Sequence, residues 1–123
     1  MLQQECCDPC HAGEMPASAL ALMRSRYSAY ALGLVDYIMD TTHPRSPIRN
    51  PNRVIWRSEL LQFCKETKFC GLEIIEFIDG DDTATVTFIA RLEQGGQDVT
   101  FKEKSSFSKE GGRWFYKNGR FVK

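Results

Sequence analysis

Near residue 70 the hydrophobic period of this chain changes. Up to about Lys68 apolar side chains recur at helical spacing, and from Leu72 onward they alternate. One kind of element cannot serve both periods, roughly 3.6 and about 2 residues, so helices come first and strands follow. A chain ordered this way folds as α+β, with its helices segregated on one face of an antiparallel sheet. Hydrophobic residues are 42% of the total. That is enough for a packed core in one domain of this length and too many for a disordered chain.

Residues 1–16 are short of apolar side chains and read as an irregular Cys-rich arm, with the α+β domain over 17–123. Ser18 is a candidate N-cap for a first helix running to Leu32. In it Met23, Tyr27, Tyr30 and Leu34 fall within about 60° of arc, taking about 100° per residue. Gly33 suits the position that ends a helix. A second short helix is expected over about 34–42, stopped by His43-Pro44. There His43 would complement the helix dipole.

"THPRSPIRNPNR" has three prolines and reads as a surface loop. A third helix is expected over about 55–68 with Trp56, Leu60, Leu61 and Cys64 inward, and Gly71 would close the helical half. "LEIIEFI", "TATVTFIARLE", "DVTFKEKSSF" and "RWFYK" are expected as four strands. Turns at "DGDD", "QGGQ" and "KEGG" separate them, and Asn118-Gly119 is a further turn signal.

Two charges disturb this pattern. In the third strand Val99, Phe101, Glu103, Ser105 and Phe107 share a face, and only Glu103 is charged. On the first helix Arg26 lies at the edge of the apolar stripe, about 60° from its centre, and Arg24 lies further round. A lone buried charge costs several kcal/mol. The expectation is that Arg26, or Arg24, reaches Glu103 as a structural ion pair tying helix to sheet. The alternative is that Glu103 sits in a pocket as a general base, with Tyr27 or Tyr30 as proton donor to an oxyanion. Arg91 alternates with the apolar face of its strand and is expected in solvent.

Lysine plus arginine and aspartate plus glutamate number 16 each, so no net field draws the chain to nucleic acid or to an anionic membrane. No stretch approaches the roughly 20 apolar residues that span a bilayer. "MLQQECCDPC" lacks the basic start and apolar run of a signal peptide, so the expected location is cytoplasmic, where thiols stay reduced. Of the five cysteines, Cys64 and Cys70 are expected as small buried hydrophobes. "CCDPCH" places Cys6, Cys7, Cys10 and His11 together. All are groups that zinc accepts, although one tight loop wraps a tetrahedron only under strain. The other reading is a frayed arm with free thiols.

"ALMRSRYSAYALGLVDYIMDTTHP", "FCGLEIIEF", "VTFIARLEQGG" and "FKEKSSFSKEGGRWFYKNG" together resemble, in order, the YchJ-like bacterial proteins. The resemblance runs from about Glu5 to Gly119. It implies a cone-shaped nuclear-transport-factor-2-like fold: about three N-terminal helices on a curved antiparallel sheet of about four strands, often enclosing a pocket. It also implies a SEC-C zinc motif, a Cys-x-Cys pair followed by Cys-Cys or Cys-His. Cys6-Cys7 match the second pair. The first would precede Met1, so the arm reads as a truncated remnant of that motif. Arg24, Arg26, Tyr27, Glu103, Ser105 and Trp114 fall on the family's characteristic stretches. They are the expected pocket-lining or structural residues.

Three functions follow as expectations. The first is a non-catalytic module that binds a small ligand or a protein partner, with a homodimer through the sheet as one form. The second is a small lyase or isomerase using Glu103. The third is a secretion or translation accessory acting through a zinc-binding arm. The sequence holds no nucleophile with a base, no phosphate loop and no complete metal set, so no cofactor beyond zinc is implied.

Overall fold

The structure, a computed structural model, describes residues 16–122. Helix α1 spans Ala19–Leu32. Ser18 caps it by accepting the Ala21 amide, and Gly33, at φ 73°, ends it in the left-handed region. Helix α2 covers Val35–Asp40 and α3 covers Arg53–Glu66. The Asn52 side chain accepts the amides of Val54 and Ile55, each at 3.1 Å, which starts α3 directly after the proline-rich loop. Asn52→Ala is expected to cost about 1 kcal/mol, read as a lowered urea midpoint with an unchanged slope. An unmoved midpoint would mean that tertiary packing alone holds the start of α3.

The helical half ends earlier than its periodicity indicates. Strand β1 (Thr67–Ile78) follows α3 without a linker, and Gly71 lies inside the strand. Strands β2 (Thr83–Gln94), β3 (Gln97–Asp98), β4 (Phe101–Glu110) and β5 (Arg113–Phe121) complete an antiparallel sheet. Its order is β1-β2-β4-β5, with β3 on β2. The third expected strand is thus broken at Val99-Thr100 into β3 and β4. Gly95, Gly96, Gly111 and Gly112 take positive φ in the two expected turns. Asn118-Gly119 forms no turn: both residues pair with β4, opposite Ser106 and Ser105.

Register shifts in β1 fall between Phe69 and Gly71 and between Ile74 and Glu76. Such bulges bend a strand and curve the sheet. Cys70 sits at the first of them and is exposed, while Cys64 is partly buried, so neither is the fully buried residue expected. The core joins Ala19, Leu22, Met23 and Tyr27 of α1 to Val86, Phe88, Ala90 and Leu92 of β2, Phe107 of β4 and Trp114 of β5. The alternation of β2 therefore does place its apolar face on the helices. Arg91 is exposed and pairs with Glu73 at 2.7 Å. Among the described residues no helix is long and apolar enough to cross a membrane.

Candidate ligand-binding site

Helix α3 presents few anchors to the rest of the fold. Trp56 is its one buried residue. Its inward neighbours Leu60 and Phe63 line a cavity of about 360 Å³ between the helices and the curved sheet. That volume lies at the small end of the roughly 300–1,000 Å³ typical of ligand pockets. Met23, Arg26, Tyr27 and Tyr30 of α1 line one side. Phe69, Phe88, Ala90, Leu92, Phe101, Glu103, Ser105 and Tyr116 of the sheet line the other. Ile48 lines the cavity and is also solvent-exposed, which puts it at the rim. Tyr30 stacks on Phe69 with ring centres 6.2 Å apart, and Phe63 meets Tyr30 edge-on at 5.8 Å.

The polar residues gather around Tyr116. Arg26 is 4% exposed. Its Nη1 donates to the Ile38 carbonyl at 3.0 Å, Thr41 Oγ1 at 2.8 Å and Thr42 Oγ1 at 3.1 Å. The two threonine hydroxyls donate to the Tyr37 and Ile38 carbonyls, so their lone pairs are left to accept from Arg26. The Tyr116 ring lies over the guanidinium at 4.7 Å, a cation–π contact. Segment 41–43 also holds the backbone of Tyr116. The Tyr116 amide donates to the Thr41 carbonyl, and the His43 amide donates to the Tyr116 carbonyl.

The Tyr116 hydroxyl donates to Glu103 Oε2 at 3.4 Å, and the buried Ser105 hydroxyl donates to the same oxygen at 2.5 Å. Gly119 makes room for this cluster. A β-carbon there would come within 2.6 Å of Glu103 Cδ and 2.7 Å of the Tyr116 hydroxyl. Burial pushes the Arg26 pKa down, an effect opposed by Tyr30, Tyr116, Tyr37 and Glu103 around it. Burial pushes the Tyr116 phenol up, and Glu103 adds to the rise. Burial also raises Tyr30, with the nearby Arg26 opposing. Both phenols thus stay protonated at neutral pH.

The expected Arg26–Glu103 ion pair does not form. Among the described residues no salt bridge joins them. Arg26 finds its acceptors at the end of α2, and Tyr116 mediates, with its face on the cation and its hydroxyl on the carboxylate. Arg24 is exposed and lies away from the cavity. Trp114 belongs to the core, not to the lining. Tyr27 touches the cavity with its ring, but its hydroxyl donates to the Gly71 carbonyl at 2.7 Å and accepts the Gly71 amide at 2.9 Å, clasping the bulge of β1. Tyr30, Ser105 and Glu103 do come together with Arg26.

Sequence reasoning missed Tyr116 as a site residue. It lies within a run of aromatics, where it reads as core, although alternation from Trp114 two residues earlier already puts it on the inward face; the register shift comes only after it, at Lys117. Gly119 was the available signal, because a glycine inside a strand marks a close approach. His43 is buried beyond the end of α2. Its Nδ1 accepts the Arg45 amide, so Nε2 carries the proton toward Glu110. Cys6, Cys7, Cys10 and His11 lie outside the described residues. Among the described residues no cluster of three His, Cys, Asp or Glu could hold a metal.

Helices on a curved antiparallel sheet enclosing an apolar cavity with a polar end define the nuclear-transport-factor-2-like class. The model of the YchJ middle NTF2-like domain matches residues 18–119, and the chain belongs to that family. A UPF0225 protein of Bordetella pertussis is 41% identical over 119 residues, covering 94% of this chain and 83% of the relative. The solution structure of a SEC-C motif containing protein from Rhodopseudomonas palustris is 35% identical with a TM-score of 0.82, covering 98% of this chain and 91% of that one. The crystal structure of a SEC-C motif containing protein from Psychrobacter arcticus is 26% identical with a TM-score of 0.80. It covers 100% of this chain and 74% of that one.

Proposed function

We propose that this domain is a non-catalytic binding module that takes a small, mostly apolar molecule into the cavity between α1, α3 and the sheet. The observation that carries this reading is the lining itself, a continuous aromatic and aliphatic wall with its polar groups at one end. Apolar pockets with a few convergent polar groups are the usual form of small-molecule sites.

Catalysis by Glu103 is the second reading, and its carboxylate beside Tyr30 favours it. Two commitments weigh against it. The Tyr116 hydroxyl is spent on Glu103 and the Tyr27 hydroxyl on Gly71, so Tyr30 is the phenol left to stabilise an oxyanion. We also read residues 1–16 as a Cys-rich arm carrying part of a SEC-C motif, appended to a domain over 17–123, and the chain as cytoplasmic. The SEC-C relatives support the first of these.

The test is thermal unfolding with tert-butylbenzene or naphthalene. A bound ligand stabilises by about 2.7 kcal/mol at a concentration of 100 times Kd, so a rising melting temperature is expected. Ala90→Leu, which grows a side chain into the cavity, should abolish the rise. No shift with either hydrocarbon, and no movement of the Phe63 and Phe69 ring resonances, would refute the reading.

A further inference from the structure

The Glu103 carboxylate is half satisfied. Oε2 accepts from Ser105 and Tyr116, while Oε1 has no hydrogen-bond partner among the described residues. Glu103 lines the cavity and is only partly buried, and Oε1 is not sealed inside the protein. A molecule that displaced water from this apolar space would therefore have to offer that oxygen a donor or leave a desolvated acceptor unpaired. The neighbouring cation is a poor hook for an anion, being largely committed already, with Tyr30 also among its partners. Arg26 Nη1 is shared among three acceptors, and the Tyr116 ring covers the guanidinium. Nor does the cavity favour a cation, because the positive charge of Arg26 already offsets that of Glu103 at this end. On the other side the Tyr30 hydroxyl lies beside Arg26, and its own proton has no acceptor among the described residues. Burial keeps that phenol protonated, so it is a donor facing the same space.

We infer that the cavity selects uncharged, largely apolar molecules bearing a hydroxyl group, which donates to Glu103 Oε1 and accepts from Tyr30. This rests on the binding reading above and adds the chemical class of the ligand. A hydroxyl alone offers both a proton and lone pairs from one atom. An ether lacks the proton, a hydrocarbon lacks both, and a carboxylate meets Glu103 as a like charge.

The experiment is calorimetric titration of the wild-type chain with 4-tert-butylphenol, 4-tert-butylanisole, tert-butylbenzene and 4-tert-butylbenzoate at neutral pH. The phenol should bind at least about tenfold more tightly than the anisole, equivalent to about 1.4 kcal/mol, and the benzoate should bind most weakly. Glu103→Gln keeps the shape. Its carbonyl would take the place of Oε2, where Ser105 and Tyr116 donate, and its amide would take the place of Oε1. That change turns the acceptor into a donor, so the preference for phenol over anisole should vanish or reverse.

Equal binding of phenol, anisole and tert-butylbenzene would overturn the hydroxyl rule while leaving the cavity a binding site. Tightest binding of the benzoate would overturn it too, by making Arg26 the anchor. Failure of all four to bind would remove the binding reading and this inference together. The wild-type comparison stands without the variant, so a poorly folding Glu103→Gln leaves the inference refutable.

Discussion

Arg26→Leu is expected to lower the melting temperature by roughly 10–15 °C, from a loss of about 3 kcal/mol. Leucine approximates the stem of arginine, so the change isolates the guanidinium from the packing of its alkyl chain. Three buried acceptors, the Ile38 carbonyl and the hydroxyls of Thr41 and Thr42, each lose the charged donor, though the hydroxyls still donate to the Tyr37 and Ile38 carbonyls. The Tyr116 ring loses the cation beneath it. Hydrogen bonds to charged groups contribute about 1.5–3 kcal/mol each, and the lone pairs of the two hydroxyls are left without a donor. The desolvation of Arg26 that leucine relieves reduces the total.

Arg24→Leu is the control. That side chain is exposed, and the change should stay within about 0.5 kcal/mol. A second control separates this account from an ion pair. If Arg26 were held by Glu103, then Glu103→Gln would cost nearly as much as Arg26→Leu. With the arginine anchored on α2 and segment 41–42, Glu103→Gln should cost about 1 kcal/mol or less. Denaturant unfolding of the three variants gives the comparison. An Arg26→Leu protein as stable as the wild type would mean that the knot at the end of α2 holds without its cation.

The two arginines of "RSRYSAY" also show what was legible in the sequence. Helical geometry alone put Arg26 at the border of the buried stripe and Arg24 outside it, and the structure keeps that order. Geometry along one helix says nothing about which acceptors a buried cation meets. Those come from the end of α2, 12 to 16 residues away in the chain, where "DTT" read only as the last residues of a short helix stopped by His43-Pro44. The strict alternation of β2 was readable because that central strand buries one face along its whole length. The edge strands were harder. β1 carries two bulges and β5 pairs across a register shift, and each extra residue turns the following side chains to the opposite face. That is why Gly71 and Asn118-Gly119 looked like breaks in the fold, whereas Tyr116, before the shift and in step with Trp114, was passed over as one more core aromatic.

Gly119→Ala tests whether the site depends on that misread glycine. The conformation of Gly119 does not call for glycine, since its φ is not positive. The requirement is space. A β-carbon would come within 2.6 Å of Glu103 Cδ and 2.7 Å of the Tyr116 hydroxyl, and closer still to Oε2. Either β5 moves away from β4 or the carboxylate swings into the cavity. The strand is held along its length by β4, and the backbone of Tyr116 is held by Thr41 and His43. The side chain is therefore the part that yields. It would leave its bonds to Ser105 and Tyr116 and enter the space a ligand would occupy. Overpacking of this kind costs about 1–3 kcal/mol, and affinity for 4-tert-butylphenol should fall by about tenfold or more.

Glu103→Ala removes the group that the new methyl would strike. In that background Gly119→Ala should cost much less, giving a coupling between the two sites of about 1 kcal/mol or more, within the range seen for residues in contact. An additive cycle would show instead that the added methyl collides with the phenol of Tyr116. In that case Tyr116, rather than Glu103, would be the side chain whose position the glycine protects.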